Sequence, residues 1–210
     1  MLNRLRYCIT VLCILLLTAG GRISGQVVTG VERVGEYLPM MQGKRIGVVA
    51  NSASVVGTVN TVDTLVALGC DVVKVFSPEH GFRKMVGAGV EVENQVDSLT
   101  GLKIVSLYGK SRKPSPRDLD GIDLLVFDIQ DVGVRFYTYI STLSYVMEAC
   151  AEEGIPVLVL DRPNPNGFYI DGPVLDPSFS SFVGLHPVPV VYGMTIGEYA
   201  RMVNGEGWLK

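Results

Sequence analysis

Residues 123–160 read DLLVFDIQDVGVRFYTYISTLSYVMEACAEEGIPVLVL, and this stretch decides the fold. A short apolar run at 123–127 comes first, and after a polar segment apolar residues recur at helical spacing over about 139–153. Gly154 then ends the helix, and a second apolar run follows at 155–160. Because neither run alternates apolar with polar residues, both are typical of strands that are covered on both faces. The stretch therefore predicts one strand–helix–strand unit.

Three earlier runs have the same continuous apolar character: 45–50 (RIGVVA), 71–76 (DVVKVF) and 102–107 (LKIVSL). Between the first two, residues 61–68 have helical spacing, and Gly69 ends that helix. Repeated strand–helix–strand units predict an α/β fold with a Rossmann-like, doubly wound, mostly parallel sheet. The segments 81–101 and 108–120 are rich in Gly, Pro, Ser and charged residues, so they are predicted to be long loops of the kind that often carry function.

The N-terminal segment 1–25 has the features of a signal peptide. Arg4 and Arg6 precede an apolar run at 9–17, which is followed by small residues and is too short to span a bilayer comfortably. This predicts an exported protein, periplasmic or extracellular, that contacts the membrane only through this segment. An uncleaved membrane anchor is the alternative.

Two further parts are expected after the signal peptide. Residues 26–175 are predicted to form the Rossmann-like catalytic domain, and residues 176–210 the start of a smaller C-terminal domain that is truncated. In the last part a short helix is predicted to begin near Thr195, with Glu198 as its capping-box partner.

Composition and charge exclude several classes of function. The 210 residues are 48% hydrophobic and 19% charged, which is typical of a globular protein. Removing residues 1–25 takes away three arginines and no acidic residue, so the net charge becomes more negative than −3 and a nucleic-acid partner is not expected. The sequence has no CxxC or HExxH motif and only two histidines, so no metal is expected. It also lacks a GxGxxG turn and a Walker motif, so no nucleotide cofactor is expected.

Polar side chains follow each predicted strand at the point where it ends. In an open parallel sheet these ends lie along one edge, where such folds bind ligands, so we expect the side chains to converge. For any one of them the alternative is the ordinary polarity of a loop. The residues are Asn51 after the first strand, Glu79 and His80 after the second, Tyr108 after the third, Asp128, Gln130 and Asp131 after the fourth, and Asp161, Arg162 and Asn164 after the fifth.

Glu79 is the strongest catalytic candidate. It lies in SPEHGFR, between a proline that restricts the backbone and a glycine that permits a tight turn. Apolar neighbours are expected to raise its pKa, as a general acid requires. The alternative is a helix cap, or an ion pair with Arg83.

The segment FDIQDVGVRFYTY (127–139) has the residue types that bind sugars. It combines the carboxylates of Asp128 and Asp131 with the amide of Gln130, the guanidinium of Arg135 and the ring of Tyr137. Carboxylates and amides pair with hydroxyl groups, and aromatic rings cover the apolar face of a sugar. Asp131 capping the next helix, with the aromatic rings in the core, remains the alternative.

Six strings, in this order, resemble the exo-β-N-acetylmuramidases, formerly a domain of unknown function: SPEHGFR, TGLKIVSLYG, FDIQDVGVRFYTYISTL, LDRPNPNG, DGPVLD and YGMTIGEYA. The resemblance covers 43–210. It implies a Rossmann-like N-terminal domain and a smaller C-terminal domain, with a cleft that accepts terminal N-acetylmuramic acid from peptidoglycan fragments in cell-wall turnover or recycling.

The resemblance also implies roles for particular residues. Glu79 falls on the family's catalytic glutamate, with His80 beside it. Asp128, Gln130, Asp131, Arg135, Tyr137, Arg162 and Asn164 carry over as site residues. One position departs from the pattern, since many relatives have histidine where this sequence has Tyr192.

As a mechanism, Glu79 is expected to protonate the departing glycosidic oxygen. The second group stays open between Asp128, Asp131 and the 2-acetamido group of the substrate. N-acetylmuramic acid carries a lactyl carboxylate, for which Arg83, Arg135 and Arg162 are the candidate partners. A non-catalytic module that binds wall sugars, or an inactive fragment of such an enzyme, is the main alternative function.

Overall fold

The computed structural model describes residues 27–83, 87, 89–90 and 93–209. The predicted signal peptide lies outside these residues, so it stays a prediction. Within the described ranges, no helix combines the length and the hydrophobicity that crossing a membrane would require.

The described part of the chain forms a six-stranded sheet in the order β5-β6-β4-β1-β7-β8, and β2 pairs with β3 in a separate hairpin. All neighbours in the large sheet run parallel except β5, which lies antiparallel to β6 at one edge. The strands are β1 Arg45–Ala50, β2 Val55–Val56, β3 Val59–Asn60, β4 Asp71–Ser77, β5 Gln95–Val96, β6 Lys103–Ser106, β7 Leu124–Asp128 and β8 Val157–Val159.

Helices cover both faces of this sheet, which confirms the predicted Rossmann-like, doubly wound α/β architecture. One core contains Val48 together with residues of α1 and α2, and the other contains Val49 together with residues of α4 and α5. Adjacent strand residues point to opposite faces, so a continuously apolar strand feeds both cores. The helices are α1 Val34–Met41, α2 Thr61–Ala67, α3 Pro116–Leu119, α4 Tyr139–Glu152 and α5 Ile196–Gly205.

The strand order positions the candidate site. From the central strand β1 the chain passes to β4 and β6 on one side, and then returns to β7 and β8 on the other. The loops after β4 and β7 therefore leave the sheet on opposite sides of β1, which opens a crevice at their carboxyl ends. Of the predicted site residues, Glu79 and His80 follow β4, and Asp128, Gln130 and Asp131 lie at the end of β7 or directly after it.

Most predicted elements lie within a few residues of their observed bounds, but helices α1 and α3, strand β5 and the hairpin of β2 and β3 were missed. Helix α1 contains Pro39, a residue that argues against a helix in sequence-based reasoning. Strand β5 and helix α3 lie in the segments predicted as long loops. Strand β5 has only two residues, which pair across the sheet with β6. Helix α3 is one turn with Pro116 at its start and a capping box between Ser115 and Asp118.

The segment after residue 176 packs against the Rossmann-like sheet. Tyr192, Tyr199 and Val203 belong to the same core cluster as Phe127 and Leu143. Helix α5 begins as predicted, because Thr195 and Glu198 form the capping box. The boundary between the two expected domains stays a prediction.

The two described cysteines are unpaired thiols. Cys150 belongs to the core on the α4 and α5 side of the sheet, and Cys70 packs against the core on the α1 and α2 side. Because the sheet lies between them, they are not placed to form a disulfide.

Candidate active site

A cavity of about 780 Å³ opens at the carboxyl edge of the sheet. Of the predicted site residues, Glu79, His80 and Tyr137 line it, and Tyr108 lies on the same wall. The other lining residues are Arg112, Val132, Val134, Phe136, Thr138, Tyr139, Asn166, Ser181, Phe182 and Val183. The strand ends therefore converge as the topology predicts, but only some of their polar side chains face the cavity.

Glu79 lies just after β4 and is 8% exposed. Its Oε2 accepts a hydrogen bond of 2.8 Å from the hydroxyl of Thr138, and its Oε1 accepts one of 3.0 Å from the backbone N–H of Gly89. The next residue, His80, has a φ of 74°, the left-handed region that non-glycine residues rarely adopt. A strained backbone beside a buried carboxylate is typical of functional sites.

The pKa of Glu79 differs from the sequence-based expectation. Burial pushes this pKa upward and is the largest single influence, but hydrogen bonds from Gly89, Thr138 and Tyr108, together with the electrostatic interaction with His80, outweigh it, so the pKa lies below its ordinary value. A carboxylate that accepts several hydrogen bonds is stabilised in its charged form. Glu79 is thus ionised in the free protein, and the expected raised pKa is wrong for this state.

Aromatic side chains form much of the cavity wall. Phe136 and Tyr137 are 53% and 52% exposed, with ring centroids 5.4 Å apart, so both present free ring surface. Tyr139 is held from behind, because its hydroxyl accepts a hydrogen bond of 3.1 Å from Asn51 Nδ2. Asn51, predicted to bind substrate, is thereby placed one residue behind the wall.

Asp128 does not face the cavity. It is fully buried, and its carboxylate receives hydrogen bonds from Arg162 Nε at 2.6 Å, from Arg162 Nη2 at 2.9 Å and from the Thr61 hydroxyl at 2.5 Å. Arg162 is buried as well. The structure thus places Asp128 and Arg162 in a buried ion pair with each other and not on the cavity wall, and their catalytic and carboxylate-binding roles stay predictions.

Arg83 forms ion pairs with Asp63 and Asp97 and does not pair with Glu79. Its guanidinium donates to Asp63 at 2.8 and 2.7 Å and to Asp97 at 2.6 Å through both Nε and Nη2. With the fork of Arg83 pairing two carboxylates, the structure does not place it on the cavity wall. This cluster joins α2 to the segment before β6.

The Arg83 cluster predicts a pH effect on stability. Hydrogen bonding to Arg83 lowers the pKa of Asp97 from 3.8 to about 2. A lowered folded-state pKa stabilises the fold fully above the ordinary pKa, and this contribution is lost as the pH falls from about 4 towards 2. We therefore expect Asp97→Asn to be less stable than the wild type at pH 6 and to lose less of its melting temperature between pH 6 and pH 3. Thermal unfolding followed by circular dichroism measures the melting temperature at each pH. The exposed Asp71→Asn variant is the control. Parallel curves of melting temperature against pH for Asp97→Asn and the wild type would contradict the prediction.

The sequence comparison decides the family. Residues 46–210 match the family model described as Exo-beta-N-acetylmuramidase NamZ, N-terminal. The chain belongs to this family. This membership confirms the resemblance drawn from the six strings.

Relatives of the NamZ family share both sequence and fold with this chain. The peptidoglycan beta-N-acetylmuramidase NamZ of Bacillus subtilis is 48% identical over 185 residues, which make up 86% of this chain and 45% of that protein. Crystal structures of two DUF1343 family proteins from Bacteroides fragilis superpose with TM-scores of 0.77 and 0.79 at 47% and 44% identity. Each match covers 87% of this chain, and 48% or 47% of the other. The chain thus spans about half the length of the relatives that it matches.

Two of the six strings meet where the side chain of Asn164 packs against Gly133. Gly133 of FDIQDVG has a φ of 74°, and a Cβ atom there would collide with the side chain of Asn164 in DRPNPNG. The amide of Asn164 donates to the Met194 carbonyl at 2.8 Å, and its oxygen accepts from the Asn166 backbone at 2.8 Å. Asn164 therefore shapes the loop, while Asn166 reaches the cavity.

Three further predicted residues hold loops together. Gln130 Nε2 donates to the carbonyls of Asp131 and Pro163, and Arg135 Nη1 donates to those of Pro173 and Val188. Asp161 accepts from the Thr195 hydroxyl at 2.6 Å and from the Gly197 backbone at 2.8 Å, so it fixes the start of α5. None of the three lines the cavity, and their contacts with substrate stay predictions.

Tyr192, where the resemblance implies histidine in many relatives, lies in the core. It is 1% exposed, and its hydroxyl donates to Asp131 Oδ2, which also accepts from the Gly133 backbone. Asp131 therefore does not cap a helix. Burial raises the pKa of Asp131 above its ordinary value. Among the described residues, Asp131 Oδ1 and the hydroxyl of neighbouring Tyr199 have no hydrogen-bond partner.

The tyrosine pair provides a matched test of this buried contact. Tyr192→Phe removes the donor to Asp131 and leaves a buried carboxylate less satisfied, so we expect the free energy of unfolding to fall by about 1–3 kcal/mol. Tyr199→Phe removes a hydroxyl that makes no hydrogen bond in the described structure, and should be nearly neutral. Urea unfolding of both variants measures the difference, and equal losses would contradict the assignment.

Some lining residues were missed by sequence reasoning. Arg112 lies in the predicted functional loop 108–120, but nothing in that loop singled it out. Ser181 and Phe182 lie in the segment assigned to the second domain. In the described part of the chain, no group of three or more His, Cys, Asp and Glu side chains is arranged to hold a metal ion.

Proposed function

We propose that this chain carries the catalytic site of an exo-acting glycoside hydrolase that releases terminal N-acetylmuramic acid from peptidoglycan fragments, in cell-wall turnover or recycling. The observation that carries the proposal is the buried carboxylate of Glu79 on the wall of an aromatic-lined cavity. Such cavities fit a ligand with an apolar face and several polar groups, as a sugar has. The name of the B. subtilis relative, a peptidoglycan beta-N-acetylmuramidase, supports muramic acid as the sugar.

The location and organisation of the protein belong to the same proposal. Peptidoglycan lies outside the cytoplasmic membrane, which agrees with residues 1–25 as a signal peptide and with a periplasmic or extracellular protein. Residues 26–175 are proposed as the catalytic domain. Ser181, Phe182 and Val183, from the next segment, complete the cavity wall.

Glu79 is proposed to give a proton to the leaving glycosidic oxygen. Since its pKa is lowered in the free protein, the carboxylate must take up this proton when the sugar binds. A bound sugar excludes water and so strengthens the effect of burial, which already acts to raise this pKa. His80, Tyr108 and Tyr139 lie on the same wall as Glu79.

The substrate itself is proposed to supply the second catalytic group. In the described part of the chain no aspartate lines the cavity, because Asp128 is paired and Asp131 is buried behind the wall. The carbonyl oxygen of the 2-acetamido group then attacks the anomeric carbon as the bond to the leaving oxygen breaks and Glu79 protonates that oxygen. Water next adds at the anomeric carbon, opens the cyclic intermediate and returns a proton to Glu79.

The direct test is turnover of para-nitrophenyl β-N-acetylmuraminide by the chain, with product identified by NMR. Release of nitrophenol and free N-acetylmuramic acid is expected, with little release from the matching N-acetylglucosaminide. Equal turnover of the two substrates would overturn muramic acid as the preferred sugar.

A non-catalytic sugar-binding module is the second candidate. It is favoured by one observation, the ionised state of Glu79 in the free protein, which is unsuited to an acid. Calorimetric binding of N-acetylmuramic acid without any turnover would support this function in place of hydrolysis.

A further inference from the structure

The arginines expected to bind the lactyl carboxylate are occupied elsewhere. Arg83 pairs with Asp63 and Asp97, Arg162 pairs with Asp128, and Arg135 donates to two backbone carbonyls. Moving any of them towards a ligand would leave a carboxylate or carbonyl unpaired. These three arginines are therefore not available to a ligand in this arrangement.

Arg112 lies on the cavity wall together with Glu79 and Tyr108. Its guanidinium carbon is 4.4 Å from the centroid of the Phe182 ring. Among the described residues, the salt bridges do not include Arg112, and the hydrogen bonds to Glu79 come from other groups. The next residue, Lys113, pairs with Glu148 and Glu152.

The ring beneath Arg112 is buried and packed between other aromatic side chains. Phe182 is 6% exposed and stacks on Tyr145, with ring centroids 5.8 Å apart and planes inclined by 16°. Tyr108 packs on the same ring at 6.3 Å. A guanidinium that lies over a fixed ring keeps its N–H donors at the edge, where they can meet a carboxylate with two parallel hydrogen bonds.

We propose that Arg112 is the specificity-determining residue that binds the lactyl carboxylate of N-acetylmuramic acid. This rests on the proposed function, because it names the group that separates the muramic sugar from N-acetylglucosamine at the same cavity. The two sugars differ only in the lactyl ether at O3, so one cation on the wall is sufficient to discriminate between them. An arginine suits this task better than a lysine, because its planar fork matches a carboxylate.

Binding of small sugars to the whole chain tests the proposal. Isothermal titration calorimetry gives dissociation constants for N-acetylmuramic acid, its neutral methyl ester and N-acetylglucosamine. The wild type is expected to prefer the free acid over both neutral sugars. Arg112→Gln is expected to weaken binding of the acid roughly 10- to 100-fold and to leave the two neutral sugars unchanged. Arg112→Lys should lose part of the preference, since it keeps the charge without the fork.

Arg117→Gln is the matched control, since Arg117 is an exposed arginine on α3 that does not line the cavity. It should behave as the wild type, and circular dichroism of each variant checks the fold. A wild type that prefers the acid, with the preference kept in Arg112→Gln, overturns the role of Arg112 and leaves the proposed function standing. A wild type that binds none of the three sugars overturns both.

Discussion

Glu79→Gln is expected to lower kcat/KM for release of N-acetylmuramic acid by about 100- to 10,000-fold, the usual effect of removing a general acid or base. Glutamine has the shape of glutamate but carries no transferable proton. Its side-chain oxygen can still accept from the Gly89 backbone, and its NH₂ can donate to Thr138 once that hydroxyl turns. We therefore expect activity to fall with only a small change in stability.

The matched control for this prediction is Glu153→Gln, an exposed glutamate at the end of α4. It should keep wild-type activity. Steady-state kinetics and thermal unfolding of both variants make the comparison. Wild-type turnover by Glu79→Gln would remove Glu79 from the mechanism.

The pH dependence of kcat/KM separates the acid role from the base role. This parameter reports groups of the free protein, in which the pKa of Glu79 is lowered. An acid role requires the protonated form, so kcat/KM should rise as the pH falls towards this lowered pKa. A base role requires the ionised form and gives the opposite slope. If the pH dependence of kcat/KM persists unchanged in Glu79→Gln, it arises from the titration of another group.

Asp128→Asn is expected to cost about 3–5 kcal/mol in the free energy of unfolding, the usual loss when one partner of a buried ion pair is removed. The substitution leaves the buried guanidinium of Arg162 without its counter-charge, although the side-chain shape is kept. The double variant Asp128→Asn with Arg162→Met should recover part of the loss, because no charge then remains buried at this position.

Glu36→Gln provides the comparison for Asp128→Asn. Glu36 pairs with Arg33 at 3.2 Å, but both side chains are largely exposed, so its loss should be much smaller. Urea unfolding of the three variants measures these free energies. Unchanged stability together with lost turnover in Asp128→Asn would return Asp128 to the catalytic role predicted from sequence.

The residues at the strand ends show which part of the site could be predicted from the sequence. Each was followed by polar residues, and the parallel topology brought those residues to one edge, where Glu79, His80 and Tyr108 line the cavity. Sequence reasoning did not separate these residues from Asp128, because both groups follow apolar strands. The difference arises from Arg162, which reaches Asp128 from a position 34 residues further along the chain.

The sequence by itself determined the sheet, its two helical layers and the glutamate at its edge. Those features depend on local patterns: continuous apolar runs, glycines that end helices, and polar residues directly after a strand. Only the tertiary structure decided which polar groups are available to a ligand. Arg83 and Arg162 pair with aspartates, whereas Arg112 stacks on a ring at the cavity. These contacts depend on residues that folding brings together from distant positions.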